Sequence, residues 1–522
     1  MSSGFSPNQS VRKPAIRTEH GVVAAQHVGA ARIGAQVLAE GGNAIDAAVA
    51  TSFALGVVEP WMSGIGGGGL MMVRHPDGTV HAVDFGMRTP AALNPGDYPL
   101  DDGQAEGLFA WPAVKGDRNL TGPLAIAVPG VVEGVGAAHA AWGSRSWSAL
   151  VAPSVGLARR GLSVDWYATM MIGQAASGLA RFSASAERFL PGGHPPPAPM
   201  TPGAENLLPA PDLAATLETI MHEGPRSLYE GPLADAIARD AALVGSSLTA
   251  TDLAAYRARI VDPIRIPYRD AEIWATPELS AGPTLAHVLR DMAASFDPSS
   301  APDAGSFIAT AEALEAAYAL RLAEMGDVEG GRATGCTTHF SVVDSDGMMV
   351  SLTQTLLSVF GSMVSLPETG VLMNNGVFWF DPRPGHPNSL APAKRCLSNM
   401  CPVVLRQSDG ALAAIGASGG RRIMPAVAQI VSFMTDFGMD LETALHHPRI
   451  DVSGSGILLA DAAMPAGVIA DLENRFSAIR MKRTVYPSWF ANISAVEQRD
   501  GRRAGGVEPW LPWGDACAAP AP

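Results

Sequence analysis

The chain has 522 residues, among them 56 Gly and 41 Pro; 47% are apolar and 16% charged, and 36 basic against 50 acidic side chains give a net charge of −14. Disorder needs low hydrophobicity with high net charge, and collagen needs a strict glycine period, so the chain is globular. The acidic balance excludes nonspecific binding to nucleic-acid phosphates, and the length leaves room for one large core or for two or three ordinary domains.

The first thirty residues contain no apolar stretch long enough for a secretory signal, and residues 1–20 read as a loose N-terminal segment. Asn43 is placed to cap a helix through Ala44, Ile45, Ala48, Val49, Phe53 and Leu55, with Asp46 in the first turn where the helix dipole favours a negative charge. That helix runs into Ser63-Gly64-Ile65-Gly66-Gly67-Gly68-Gly69, followed by Leu70 to Arg74, a Pro76-Asp77-Gly78 turn and Val80 to Phe85, which read as a hairpin. Gly64, Gly66 and Gly69 satisfy G-x-G-x-x-G, but a dinucleotide site needs strand, glycines, helix, and here the order is helix, glycines, strand. Close approach of backbone into a sheet is the better reading.

Helical patterns then cover Val131–Trp142, Trp147–Arg160, Pro211–Glu223, Pro232–Leu243, Thr249–Arg257 and Ser306–Met325, with a proline-rich loop at Pro191–Pro202 and a polar connector at Gly326–Gly335. From Thr337 the pattern becomes strands: Thr338–Val343 with Met348–Thr355, and Pro402–Arg406 with Ala411–Ala417, each pair closed by an Asp-Gly-containing turn. A helix from Ile423 to Phe437 stops at Gly438, and Asp440 caps a short helix. Residues 504–522, rich in Gly, Pro and Ala, read as a loose tail. Strands in two separated blocks with helices between them suggest a layered sheet sandwich with helices outside.

Four cysteines, Cys336, Cys396, Cys401 and Cys517, are too few for a disulfide framework, and no CxxC pair suggests structural zinc. A cytoplasmic location is expected. No apolar stretch is free of charge or proline over a membrane-spanning length, so no membrane association is expected. None of the twelve histidines forms HExxH, and neither metal nor cofactor is expected.

The sharpest chemical feature is Gly335-Cys336-Thr337-Thr338-His339-Phe340, where a polar connector delivers a threonine to the start of a strand. A threonine hydroxyl is a poor nucleophile without an adjacent base. Cutting the chain before it frees an α-amine, with a pKa of roughly 7.7 to 8.0, as that base. On spacing alone the pair is equally an ordinary strand start, and Cys336 is a rival nucleophile.

Five motifs in order settle the choice of expectation: Gly41 to Ala50, Glu59-Pro60 with Ser63 to Gly69, Ala127 to Gly130, Thr337 to Asp344, and Ser418-Gly419-Gly420 followed by Arg422-Ile423. Together they resemble the gamma-glutamyltranspeptidase family over about residues 20 to 455. The resemblance implies an α+β, four-layer αββα N-terminal nucleophile hydrolase sandwich, made as one precursor and cut between Cys336 and Thr337 into a large chain, 21–336, and a small chain, 337–503, that stay associated. Thr337 matches the family nucleophile, Thr355 the threonine that supports it, and Gly419 and Gly420 the oxyanion hole. His339 belongs to the motif as structural support.

The chain departs from that family where a glutamyl donor is gripped. Leu357 stands where the family has Asn, Gly376 follows Asn374-Asn375 where an amide or carboxylate is usual, and Trp379 replaces an Asp, with Asp381 displaced by two positions. A buried ammonium without acceptors is costly, so a glutathione-like donor is disfavoured. Arg88, Arg421, Ser398 and Asn399 are the candidates for holding a substrate carboxylate, Arg421 by two-point contact. The segment Trp379 to Gly385 with Asn388-Ser389 and Ala391-Pro392 resembles the branch that includes oxamate amidohydrolase and the transpeptidase-like acylases. The expectation is a self-processing threonine amidohydrolase acting on a small carboxylate-bearing amide. The alternatives are a true gamma-glutamyltransferase with a donor pocket rebuilt from Asp381, Arg88 and Arg421, and a processing-defective binding relative, for which Cys336 and the short connector are the signs. A homodimer fits the class.

Overall fold

The computed structural model describes residues 11–105, 111–325, 336–453 and 456–520. Two seven-stranded sheets form its centre. Across the first, the strands run Asp515–Ala518, Val22–Ala25, Cys336–Val343, Met349–Leu357, Gly68–Arg74, Val80–Phe85 and Arg259–Val261; across the second, Ile16–Thr18, Arg502–Val507, Asn492–Arg499, Leu412–Ser418, Val403–Arg406, Ala271–Ala275 and Ile264–Tyr268. Every pairing within them is antiparallel.

The helix Ala44–Val58 begins as its sequence dictates: Asn43 accepts from the Ile45 and Asp46 N–H groups while Asp46 reaches back to the Asn43 N–H, a complete capping box. It is apolar on nearly every face because it is enclosed between the first sheet and the helix Trp147–Arg160. This helix, Val28–Ala39 and Val131–Trp142 pack their apolar faces on the first sheet, and Gly282–Ser295, Ala304–Met325 and Ile423–Thr435 pack on the second. The order of layers is therefore helix, sheet, sheet, helix, the αββα sandwich that the family resemblance implies. Among the described residues no helix is long and apolar enough to cross a membrane.

Where the two sheets face each other near His339, the interface is small and polar. His339 bonds Thr353 and Ser341 at 2.8 and 3.1 Å, Ser341 Oγ donates to Ser494 O, and Ser351 Oγ donates to Ile415 O. A Cβ on Gly416 would lie 2.3 Å from the His339 ring, so glycine is what lets the sheets close there. The glycine run before Gly68–Arg74 has the same cause: a Cβ on Gly67 would lie 2.3 Å from Thr355 O. Close approach, as expected, and not a positive φ, fixes glycine at that position.

Both chain ends depart from the expectation of loose segments. Residues 504–520 supply most of one strand and all of another: Arg502–Val507 joins Ile16–Thr18 to Asn492–Arg499, and Asp515–Ala518 pairs with Val22–Ala25. The small residues that suggested looseness are what allow the packing, since a Cβ on Gly505 would meet Val22 and Ala516 within 2.9 Å. Glu508 anchors the segment between them by ion pairs with buried Arg449 and Arg483. At the other end, Arg12 and Arg17 pair with Glu442, and Ile16–Thr18 is an edge strand. The connector Gly326–Gly335 and residues 1–10 lie outside the described residues.

Candidate active site

The strand Cys336–Val343 starts with an irregularity: Cys336 is opposite Leu357 and Thr338 opposite Gln354, so the register slips at Thr337. Thr337 is 5% exposed; its hydroxyl donates to Thr355 Oγ1 at 3.3 Å, and Thr355 Oγ1 also accepts from the Leu357 N–H at 2.8 Å. The two sequence-selected threonines thus meet at the end of the first sheet.

The register between the sheets sets what lies opposite. His339 packs on Gly416; two residues back along one strand is Thr337, and two residues forward along the other is Ser418, immediately before Gly419. Gly419 has φ +137° and Gly420 φ +63°, values that favour glycine, and a Cβ on Gly419 would approach Ala491 Cα to 3.1 Å. These two glycines turn the strand Leu412–Ser418 into the helix Ile423–Thr435, and successive unobstructed N–H groups at such a turn can stabilise a developing negative charge.

The two faces of the Thr337 strand carry different chemistry. His339 faces the second sheet, and burial pushes its pKa down to about 3, which keeps the ring neutral and confines it to bridging Thr353 and Ser341. Thr338 faces the helix layer and donates to Glu59 Oε2 at 3.2 Å. Glu59 is buried, and loss of hydration raises its pKa to about 8 despite that hydrogen bond. Beside it Gln354 is held by Ser52 and Ser63. This second polar layer escaped sequence reasoning, although Glu59-Pro60 within the motif was a signal for it.

The family departures converge. Leu357, with φ +86°, packs in one apolar cluster with Trp379, Met87 and Met400, and a Cβ on Gly376 would meet Met87 and Ala127 within 2.9 Å. Asp381 is 1% exposed and engaged by Arg383 through Nε and Nη2, with a 2.7 Å ion pair. Its charge is therefore spent within its own loop.

The four carboxylate candidates are not brought together by any hydrogen bond among the described residues. Arg88 Nε donates to Ala393 O at 2.8 Å, while its neighbour Met87 points into the Leu357 cluster. Ser398 Oγ accepts from the Met400 N–H, and Asn399 Oδ1 accepts from Arg321 at 3.2 Å. Arg321 also donates to Ser280 O, Thr284 and Ser398 O, so it braces this segment against the helix Ala304–Met325. Arg421 is buried beside Gly420, with its guanidinium 5.9 Å from the Tyr318 ring and its backbone oxygen accepting from the Tyr318 hydroxyl.

The chain is similar to known proteins over most of its length. A family model described as gamma-glutamyltranspeptidase matches residues 30–336 and 329–512. A protein of Pseudomonas sp. strain SE83 named acylase ACY 1 proenzyme is 34% identical over 88% of this chain and 86% of its own length. The glutathione hydrolase proenzyme of Bacillus subtilis strain 168 is 31% identical over 87% of this chain and 84% of its own length. Among solved structures, cephalosporin acylase from Bacillus halodurans superposes with a TM-score of 0.85 at 24% identity, covering 100% of this chain and 99% of that one, a likeness of fold.

Proposed function

The chain belongs to the gamma-glutamyltranspeptidase family, and on that premise we propose that it is a self-processing threonine amidohydrolase acting on a small carboxylate-bearing amide. The observation that carries the reading is the 3.3 Å hydroxyl pair Thr337–Thr355 at a slipped strand start, with the Gly419-Gly420 turn opposite. Both relatives cited above are named proenzymes, which supports a precursor cut into two associated chains.

In the first step Thr337 Oγ attacks the Cys336 carbonyl carbon, the Cys336–Thr337 C–N bond breaks, and the nitrogen takes the hydroxyl proton. Water then hydrolyses the resulting ester, leaving a Cys336 carboxylate and a free Thr337 α-amine. In turnover that amine accepts the proton from Thr337 Oγ as the oxygen attacks the substrate amide. The Gly419 and Gly420 N–H groups receive the oxyanion, the protonated amine passes its proton to the departing nitrogen, and water releases the acyl group. Thr355 orients the Thr337 hydroxyl, and its own oxygen is fixed by the Leu357 N–H.

The acyl side favours a donor without an α-ammonium. Leu357 and Trp379 offer it no acceptor, and Asp381 is neutralised by Arg383. Of the two arginine candidates, Arg421 adjoins Gly420 in sequence, and Arg88 donates to Ala393 O. A cut before Thr337 divides 522 residues into 336 and 522 − 336 = 186, in proportion about 35 and 19 kDa. Intact-mass measurement of purified active protein tests the reading. A single uncut chain with full activity would overturn it, and so would strong acceptor-stimulated turnover of a γ-glutamyl anilide.

A further inference from the structure

A cleft with a cavity volume of about 60 Å³, partly open to solvent, begins at Ser418 and Gly419. Its walls come from three distant segments: Tyr167 and Met171 from the helix Trp166–Leu179, Tyr486 and Phe490 from the loop before Asn492–Arg499, and Trp513 from the C-terminal segment. Aromatic residues are 6% of the chain, so this concentration is local. Trp513 stacks on Tyr167 with ring centroids 3.6 Å apart, and Trp166, 52% exposed, extends the surface at 5.1 Å from Trp513. The rings are held rigidly: Trp513 Nε1 donates to Asp165 at 2.7 Å, and the Tyr486 hydroxyl donates to Gln174 at 2.8 Å.

Two observations orient the cleft with respect to the chemistry. Consecutive residues at the end of Met349–Leu357 enter different apolar clusters: Leu357 joins Trp379 on the acyl side, and Leu356 joins Trp61, Met62 and Tyr167 on the cleft side. The hydroxyl pair of Thr337 and Thr355 is reached just before that divergence. Independently, Ser418 is 1% exposed, lines the cleft, and its Oγ has no hydrogen-bond partner among the described residues. A buried hydroxyl without a partner beside the Gly419 turn is a site for a polar atom of a ligand.

We propose that this cleft is the leaving-group subsite and that it selects amides of aromatic or planar heterocyclic amines, with Ser418 Oγ bonding the departing nitrogen. The inference rests on the amidohydrolase reading above, since a leaving group presupposes a scissile amide. Flat rigid walls favour a flat partner, which loses little freedom on binding and gains ring contacts. Arg422, whose Nη1 donates to Ser488 O at 2.8 Å and whose Nε lies 4.0 Å from Asp451 Oδ2, lies on the same lining.

The test compares two amides sharing one dicarboxylic acyl group, a 2-naphthylamide and a methylamide, on wild-type enzyme, Tyr486→Ala and Tyr486→Phe. The ratio of kcat/KM for the naphthylamide to that for the methylamide is expected to fall at least fivefold in Tyr486→Ala, chiefly through KM, and to be retained in Tyr486→Phe. A smaller fall overturns the subsite, as does equal loss on both amides. If wild type turns over neither amide, the amidohydrolase reading fails. The cleft is then judged by 2-naphthylamine quenching of tryptophan fluorescence: saturable quenching weakened at least fivefold in Tyr486→Ala supports an aromatic site, and its absence removes it.

Discussion

The two sides of the Thr337–Thr355 pair are built in opposite ways. The acyl wall of Leu357, Gly376 and Trp379 comes from a stretch of about two dozen residues, and each of its members replaces a polar group expected from the family. The aromatic cleft is assembled from residues 166–174, 485–492 and 511–513, which converge only in the folded sandwich. The acyl wall is marked by the polar side chains it lacks, the cleft by the rings it gathers. A specificity change of the first kind is read along the chain, and one of the second kind requires the topology.

Both sides depend on the same centre, so its removal has the largest expected effect. Thr337→Ala should abolish cutting and turnover together, read by intact mass and amide hydrolysis. Gly419→Ala comes next. It forces φ +137° on a residue with a Cβ that meets Ala491, and displacing an oxyanion donor costs about 10²- to 10³-fold in kcat. Thr355→Val keeps shape but removes the hydroxyl that orients Thr337, and kcat should fall on the order of 10²-fold with a smaller change in KM.

The acyl wall is sharpened by Leu357→Asn with Arg383→Ala. Asn tolerates the positive φ at position 357 better than Leu, and losing Arg383 releases the Asp381 carboxylate. Turnover of a γ-glutamyl anilide relative to a succinyl anilide should rise several-fold. No rise would mean that the wall is not what excludes the ammonium.

The smallest effect concerns Glu59, behind the centre. Its folded pKa of about 8 lies above the unfolded carboxyl value, so the folded state binds the extra proton. The stability associated with that proton is fully present below the unfolded pKa and is lost as pH rises through about 8. Glu59→Gln should therefore flatten the decline of the melting temperature between pH 5 and pH 8.

Local signals made much of the scaffold legible. Asn43, with Asp46 in the first turn, fixed the start of the helix Ala44–Val58, and Val131–Trp142, Trp147–Arg160 and Pro211–Glu223 have the bounds expected from pattern alone. The strand from Met349 runs on to Leu357, past the expected end at Thr355, because Cys336 pairs with Leu357 beyond the register slip at Thr337. The C-terminal strands were missed since Gly505, Gly506 and Ala516 have the composition of a linker, and only the folded neighbours, Val22 at Gly505 and Leu445 at Gly506, explain why the two glycines must be small. At the site, Thr337 and Thr355 share a hydrogen bond, and the Gly419-Gly420 turn follows the strand whose Gly416 packs on His339. Ser418, Tyr486 and Trp513 carry no periodicity, and their proximity results from sheet register and long-range packing.

The strand order also constrains the fate of the two chains after the proposed cut. Strands from before and after Thr337 alternate in both sheets, meeting along five seams: 515–518 with 22–25, 22–25 with the Thr337 strand, 349–357 with 68–74, 502–507 with 16–18, and 403–406 with 271–275. Neither product can depart as a folded body, because separation would tear open the centre of one sheet and an edge of each. Cleavage is thus a one-way step: the interleaving is laid down while the backbone is continuous, and two separated pieces would have to find all five seams by bimolecular encounter. Denaturation and then renaturation should return the uncut Thr337→Ala protein readily and the mature enzyme poorly.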